Sequence, residues 1–197
     1  MESDRFATAV RLIDTANAED PHFLVIRGQK QQKELAQAAL MTEWVQRLCP
    51  DASDALLLAA RAHHVQRWMW PRSDYPSGRS GYLQWRRNLY TRHGEIAAAY
   101  AEQAGYETEV GQRIREIIGK KRLKTDSEVQ TYEDALCLVF IETQFSALRE
   151  QEGHEKMVEI VKKTLKKMSE EGQRLALEIP LEEADLAVVR DALQASA

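Results

Sequence analysis

Four short stretches of this chain hold side chains able to do chemistry: His63-His64, His93 with Glu95, Tyr132-Glu133-Asp134, and more remotely Glu142. Neutral imidazole and carboxylate together suit a divalent transition metal such as iron, manganese or zinc. Facing helices can bring such donors together even when they are far apart in sequence. The expected ligands are His64, His93 and Asp134, with His63 as a further donor. On a helix, residues two apart diverge by about 200°. Glu95 therefore does not share an ion with His93 and is expected behind the ligands or in solvent. Glu133 or Glu95 would serve as general base or orient a ligand. The same residues have plainer uses. Adjacent histidines at a helix end can donate to the last carbonyls, and an aspartate on an apolar stripe can cap a helix or pair with an arginine.

A second signal is the run of arginines 61, 67, 72, 79, 86, 87 and 92, with no lysine and a single acidic residue, Asp74, in the same span. The planar guanidinium suits bidentate recognition of phosphate or carboxylate. Arg67, Arg72, Arg79 and Arg86 are the expected contacts to a small anionic substrate. The plainer use is a solvated helix face with cation–π packing on the nearby tryptophans.

The elements that must position these residues are helical. The chain has 197 residues, 44% apolar and 29% charged, with only nine Gly and five Pro. Ala, Leu, Glu, Gln, Lys and Arg dominate, a mixture that favours helix. Helices are predicted over residues 4–17, 30–48, 55–62, 82–103, 110–121, 127–149, 154–173 and, more weakly, 181–193. Residues 22–26 read as one extended segment, and Asp51-Ala-Ser-Asp54 as a capping segment. The near-continuous apolar run Ala55–Ala62 predicts a central helix, with the histidine pair at its C-terminal end. Residues 66–81, rich in Pro, Gly and aromatics, read as a packed functional loop. Together these predict an all-α fold of seven or eight helices in a single domain over 1–197, with 174–197 as a possible appended helix or tail.

The net charge of −4 gives no global argument for nucleic acid or an anionic membrane. Nothing reads as a membrane span or a signal segment. Cys49 and Cys137 read as buried thiols of a reducing compartment, and the cytoplasm is the expected location. Lys167-Met168-Ser169 resembles part of the nucleotide-binding signature of class I aminoacyl-tRNA synthetases, but no alternation of strands and helices surrounds it.

Two resemblances follow from these residues. Ala59-Ala-Arg-Ala-His-His-Val65 resembles the His-Asp segment of the metal-dependent HD-domain superfamily, with His64 where that family has Asp. His93 with its helix resembles the family's middle His helix, and Glu133-Asp134-Ala135-Leu136 its late Asp helix. The family's early histidine would fall near Met41, and a second middle histidine near Lys120-Lys121. Over most of the chain the match is closer to the family called domain of unknown function 4202. It is carried by Asp14-Thr-Ala-Asn17-Ala-Glu-Asp20-Pro21, Ala59 to Trp68, Pro71-Arg72-Ser73-Asp74-Tyr75-Pro76, Gly81-Tyr82-Leu83-Gln84-Trp85-Arg86 and Glu133 to Phe140. In that family the position of His63 often resembles glutamine, which favours His64 of the pair.

The HD-like resemblance implies a metal-dependent enzyme acting on a small anionic substrate, by hydrolysis or, as an alternative, by iron-dependent oxygenation. A different class remains open: a metal-free binding module whose Arg/Trp surface holds a nucleotide, an RNA segment or a protein. The sequence leaves the oligomeric state open.

Overall fold

A computed structural model describes residues 2–194. Among them are ten α-helices and a single two-stranded hairpin, so the fold is all-α. The chain divides into two compact units, Met1–Tyr132 and Glu133–Ala197.

The first unit begins with α1 (Glu2–Asn17), the hairpin β1 (Phe23–Ile26) and β2 (Gln29–Gln32), and α2 (Lys33–Leu48). It continues with α3 (Asp54–Arg61), α4 (Gly78–Gln103), α5 (Thr108–Ile118) and the start of α6 (Ser127–Thr143). The apolar α3 is central, packed against α1, α2, α4 and α5, and Leu56, Leu58, Ile13, Met41, Ile114 and Ile117 are fully buried. Burying such a face is what holds short helices in water, because an isolated eight-residue helix is marginal. Ser53 caps α3, its side chain accepting from Leu56 N. At the other end Arg61 grips Asp14 of α1 through Nε and Nη2, at 2.6 and 2.7 Å.

The hairpin corrects the expected start of α2. Gln29–Gln32 pairs antiparallel with Phe23–Ile26, and the helix begins at Lys33. The two-residue turn Arg27-Gly28 has φ +49° and +80°, the left-handed pair that a tight hairpin matched to strand twist requires. Pairing with β1 outweighs the modest helix preference of the glutamines.

The buried face of α2 is Glu34, Gln37, Ala38, Met41, Trp44 and Val45. Leu35 and Thr42 on the same helix are only half-buried. Between α3 and α4 the chain runs through two single-turn 3-10 segments, Arg67–Met69 and Arg72–Asp74. Helix α4 then starts at Gly78, four residues earlier than predicted. Gly81 on its first turn faces the carbonyl of Pro76, where a Cβ would stand 1.8 Å from that oxygen. Only glycine allows this approach.

The second unit contains the end of α6, then α7 (Phe145–Glu152), α8 (His154–Leu165), α9 (Glu170–Ala176) and α10 (Glu183–Gln194). Helix α10 packs on α8 and α7, burying Phe145, Met157, Leu175 and Val188. Two predicted helices are each broken in two. The first stops at Thr143, with Gln144 outside helical geometry at φ −130°. The second stops at Leu165, because Ser169 takes the capping position of α9 and accepts from Gly172 N. A serine side chain competes for backbone donors and is more stable at a helix start than inside one.

No helix among the described residues is long and apolar enough to cross a membrane. Cys137 is buried and Cys49 half-buried.

Candidate metal site and its cleft

Helix α3 ends at Arg61, and two tight turns follow, closed by His63 N on Ala60 O (3.3 Å) and Val65 N on Ala62 O (3.0 Å). Gln66 then adopts a left-handed conformation, φ +55°, and turns the chain into the segment that carries Arg67. This path buries His63 and leaves His64 half-buried. His93 arrives from the middle of α4 and is also buried. The rings of His63 and His64 lie 4.2 Å apart by centroid, and those of His64 and His93 5.9 Å.

The hydrogen bonds fix the tautomers. His63 Nδ1 is 3.1 Å from Ala60 O, and His93 Nδ1 is 2.9 Å from Val65 O. A carbonyl only accepts, so each Nδ1 carries the proton and each Nε2 keeps its lone pair. Both Nε2 atoms are buried without a hydrogen-bond partner. His64 is held differently. Arg67 Nη1 lies 2.7 Å from its Nε2 and must donate there, because a guanidinium has no acceptor. His64 Nδ1 lies 3.4 Å from Glu34 Oε2 on the first turn of α2. That approach lacks hydrogen-bond geometry, and both atoms are buried without a bond.

Burial sets the charge state. It pushes His63 and His64 well below the usual imidazole range, helped by the neighbouring His64 at the first and by Arg67 at the second. His93 is lowered to about 4, by burial first and by Arg67 next. Burial raises Glu34 above the ordinary carboxylate value. At neutral pH the three imidazoles are uncharged, the form that ligates metals.

Glu34 and Arg67, the neighbours of His64, also line a cleft of about 190 Å³. Trp68, Trp70, Trp85 and Pro71 form its apolar lining, and Lys33, Glu34, Arg67 and His22 its polar one. The Arg67 guanidinium lies over Trp85, 4.9 Å from the ring centre, and Arg92 lies equally close to Trp70. Trp85 Nε1 donates to Trp70 O at 2.9 Å, fixing those segments together. The rings of Trp70 and His93 meet at 67°, 6.4 Å apart by centroid. Asp20 anchors the polar lining: one oxygen accepts from His22 N and Nδ1, the other from Glu34 N. That capping bond fixes Lys33 and Glu34 at the start of α2.

Of the residues singled out from sequence, the structure brings His63, His64, His93 and Arg67 together. Arg72 donates to Tyr75 O and Gly78 O, closing its own loop. Arg86 donates to the hydroxyls of Tyr82 and Tyr90. Arg79 and Glu95 are exposed. Glu133 and Asp134 belong to the second unit. There Asp134 accepts from Ser169 N and Oγ, at 2.9 and 2.5 Å, and Glu133 lies 3.9 Å from Lys167 Nζ.

The sequence reading missed Glu34 and Lys33. A signal for Glu34 was present: it falls on the same helical stripe as Ala38, Met41 and Val45, so it must be buried. For Lys33 there was none, because its place depends on where the hairpin ends.

As the side chains stand, no three His, Cys, Asp or Glu among the described residues form a metal-holding group. The donor chemistry nevertheless fits one. Buried polar atoms almost always find partners, and here His63 Nε2, His93 Nε2, His64 Nδ1 and Glu34 Oε2 have none. Both nitrogens of His64 face side chains, so its ring can turn without breaking a backbone bond.

A family model described as domain of unknown function (DUF4202) matches residues 7–189. No curated protein and no solved structure matches the chain.

Proposed function

The chain belongs to the DUF4202 family, and we propose that it is an HD-like, metal-dependent enzyme acting on a small anionic substrate, with hydrolysis as the reaction. The observation that carries this reading is the group of buried donor atoms without partners on Glu34, His63, His64 and His93. Their order along the chain supports the HD-like part: one donor from α2, two from the end of α3 and one from α4. Glu34 would fill the role of the early histidine, two turns before Met41 on the same helix face. It is preferred to Asp134 as the carboxylate because both oxygens of Asp134 are already engaged by Ser169.

In this reading His63 and His93 are pre-oriented. Their Nδ1–H groups on backbone carbonyls hold the rings and raise the basicity of Nε2, the arrangement common around metal-binding histidines. When bound, a divalent ion would supply a water of lowered pKa or polarise the substrate anion. Arg67 and Lys33 would hold that anion, and the tryptophans would exclude bulk water. Glu34, raised above the ordinary carboxylate value by burial, would be the group that takes up or gives a proton beside the anion.

One observation favours a metal-free binding module instead. The Arg67 guanidinium already occupies the lone pair of His64 Nε2. An iron-dependent oxygenase would use the same residues and would differ by consuming dioxygen.

Protein purified without a nickel column, stripped with chelator and titrated with Mn(II), Fe(II) and Zn(II) tests the proposal. About one equivalent should bind and raise the melting temperature. Glu34→Gln and His93→Gln should each weaken binding by about 10- to 100-fold. Substoichiometric metal that none of the three ions restores would overturn the enzyme reading in favour of the binding module.

A further inference from the structure

The cleft contains more recognition chemistry than a bare anion needs. Three of the chain's four tryptophans line it, each half-buried. Two are already organised: Trp85 spends its N–H on Trp70 O, and each of the two rings has a guanidinium on one face. Trp68 has no hydrogen bond and no ring partner among the described residues, so its indole remains available. Beside the tryptophans, Arg67 and Lys33 have no carboxylate within 4 Å among the described residues. Arg67 is largely desolvated, which lowers its affinity for a proton. A buried guanidinium without a counter-charge is costly unless an anion joins it.

We infer that the cleft takes a planar aromatic ring carrying a single phosphate or carboxylate, with the ring against the tryptophans and the anion between Lys33 and Arg67. This deepens the proposed function by naming the ligand of the same site, and it rests on that reading for the chemistry that follows binding. Size agrees. A cavity of about 150 Å³ holds one benzene ring, and about 190 Å³ leaves room for one compact substituent. Orientation agrees as well. Arg67 touches His64 and lines the cleft at once, so an anion on Arg67 lies beside the histidines. Stacking on indole supplies selectivity for flat rings, and Arg67 supplies bidentate selectivity for the oxyanion.

The test is ligand titration followed by calorimetry in excess chelator, using phenyl phosphate, cyclohexyl phosphate, benzoate and inorganic phosphate. Phenyl phosphate should bind about tenfold or more tightly than either inorganic or cyclohexyl phosphate, the margin expected of one aromatic stack. Trp68→Ala should erase that margin, and Arg67→Lys should weaken phenyl phosphate and benzoate together. The ligand comparison on the unaltered protein stands even where a variant fails to fold. Equal binding of phenyl and inorganic phosphate, equal binding of phenyl and cyclohexyl phosphate, or no binding at all would each overturn the inference. Chelator separates this from the metal reading. Ring selectivity that persists while no metal binds supports the cleft and sinks only the metal. Metal binding without ring selectivity does the reverse.

Discussion

Asp185 in the second unit has no exposed surface, yet it accepts from Ser146 Oγ and Arg149 Nε. Asp134, nearly as deep, accepts twice from Ser169, and Gly172 permits the approach, since a Cβ there would lie 2.7 Å from the aspartate carboxyl carbon. In the first unit Glu34 is buried to a similar degree, but its Oε2 has no hydrogen bond, and around it three imidazole nitrogens also lack partners. Asp134 and Asp185 of the second unit are committed to joining helix ends. Glu34 and the histidines around it in the first unit keep buried atoms without hydrogen bonds and bear the desolvation cost. Burial alone therefore does not identify a site. The proposed site rests on the further observation that buried atoms without hydrogen bonds stand beside a cleft lined by Arg67 and Lys33.

The largest test of this contrast is pH. His93 titrates near 4 in the folded protein against about 6.5 for an ordinary histidine. Between these values the unfolded chain binds more protons, so stability is intact above about pH 6.5 and falls as the pH drops toward 4. A shift of about 2.5 units corresponds to about 3 kcal/mol for this one group. His63 and His64, also lowered, act in the same direction. Glu34, whose pKa is raised, takes up a proton in the folded state and opposes part of the fall. Denaturation in chelator from pH 7.5 to 4.5 should show the loss, and His93→Gln should flatten it. A profile unchanged by His93→Gln would mean that the imidazole is not held neutral by the fold.

A smaller effect separates the two kinds of carboxylate directly. Asp134→Ala removes both acceptors of Ser169 and should destabilise the protein by about 1–3 kcal/mol. Glu34→Gln replaces a buried carboxyl whose Oε2 has no hydrogen bond and should leave stability unchanged or raise it by up to about 1 kcal/mol, while metal binding weakens by about 10- to 100-fold. Activity sites commonly carry such a trade between stability and function. Equal destabilisation by the two substitutions, read from urea midpoints, would erase the distinction.

How far the sequence revealed the site follows the range of the interactions. The helices of the core and the central place of α3 follow from local periodicity, whereas the expected grouping of His64 and His93 with Asp134 comes from donor type and the HD-like resemblance, and Asp134 is instead engaged by Ser169. The hairpin and the breaks at Gln144 and Ser169 depend on partners that a linear pattern does not display: β1 for Gln29–Gln32, and Asp134 for Ser169. The arginines show the same limit. All of Arg67, Arg72, Arg79 and Arg86 share one composition signal, but only Arg67 lines the cleft. The left-handed turn at Gln66 and the stack on Trp85 select it, and neither has a sequence signature of its own.

Arg72 provides the smallest and most discriminating comparison. Its guanidinium donates to Tyr75 O at 2.9 Å and to Gly78 O at 3.2 Å, bracing the loop that passes through Pro76. Arg67 instead donates to a histidine and lies against a tryptophan. Replacing either by lysine keeps the charge and loses the planar fork. Arg72→Lys should therefore cost about 0.5–1.5 kcal/mol, the worth of one or two hydrogen bonds, and leave phenyl phosphate affinity intact. Arg67→Lys should weaken that affinity several-fold with a smaller effect on stability, because a lysine stem still covers Trp85. Melting curves and titrations on the same two variants measure both quantities. A crossed result, with Arg72→Lys impairing binding and Arg67→Lys impairing only stability, would move the anion site from the histidine cluster to the loop.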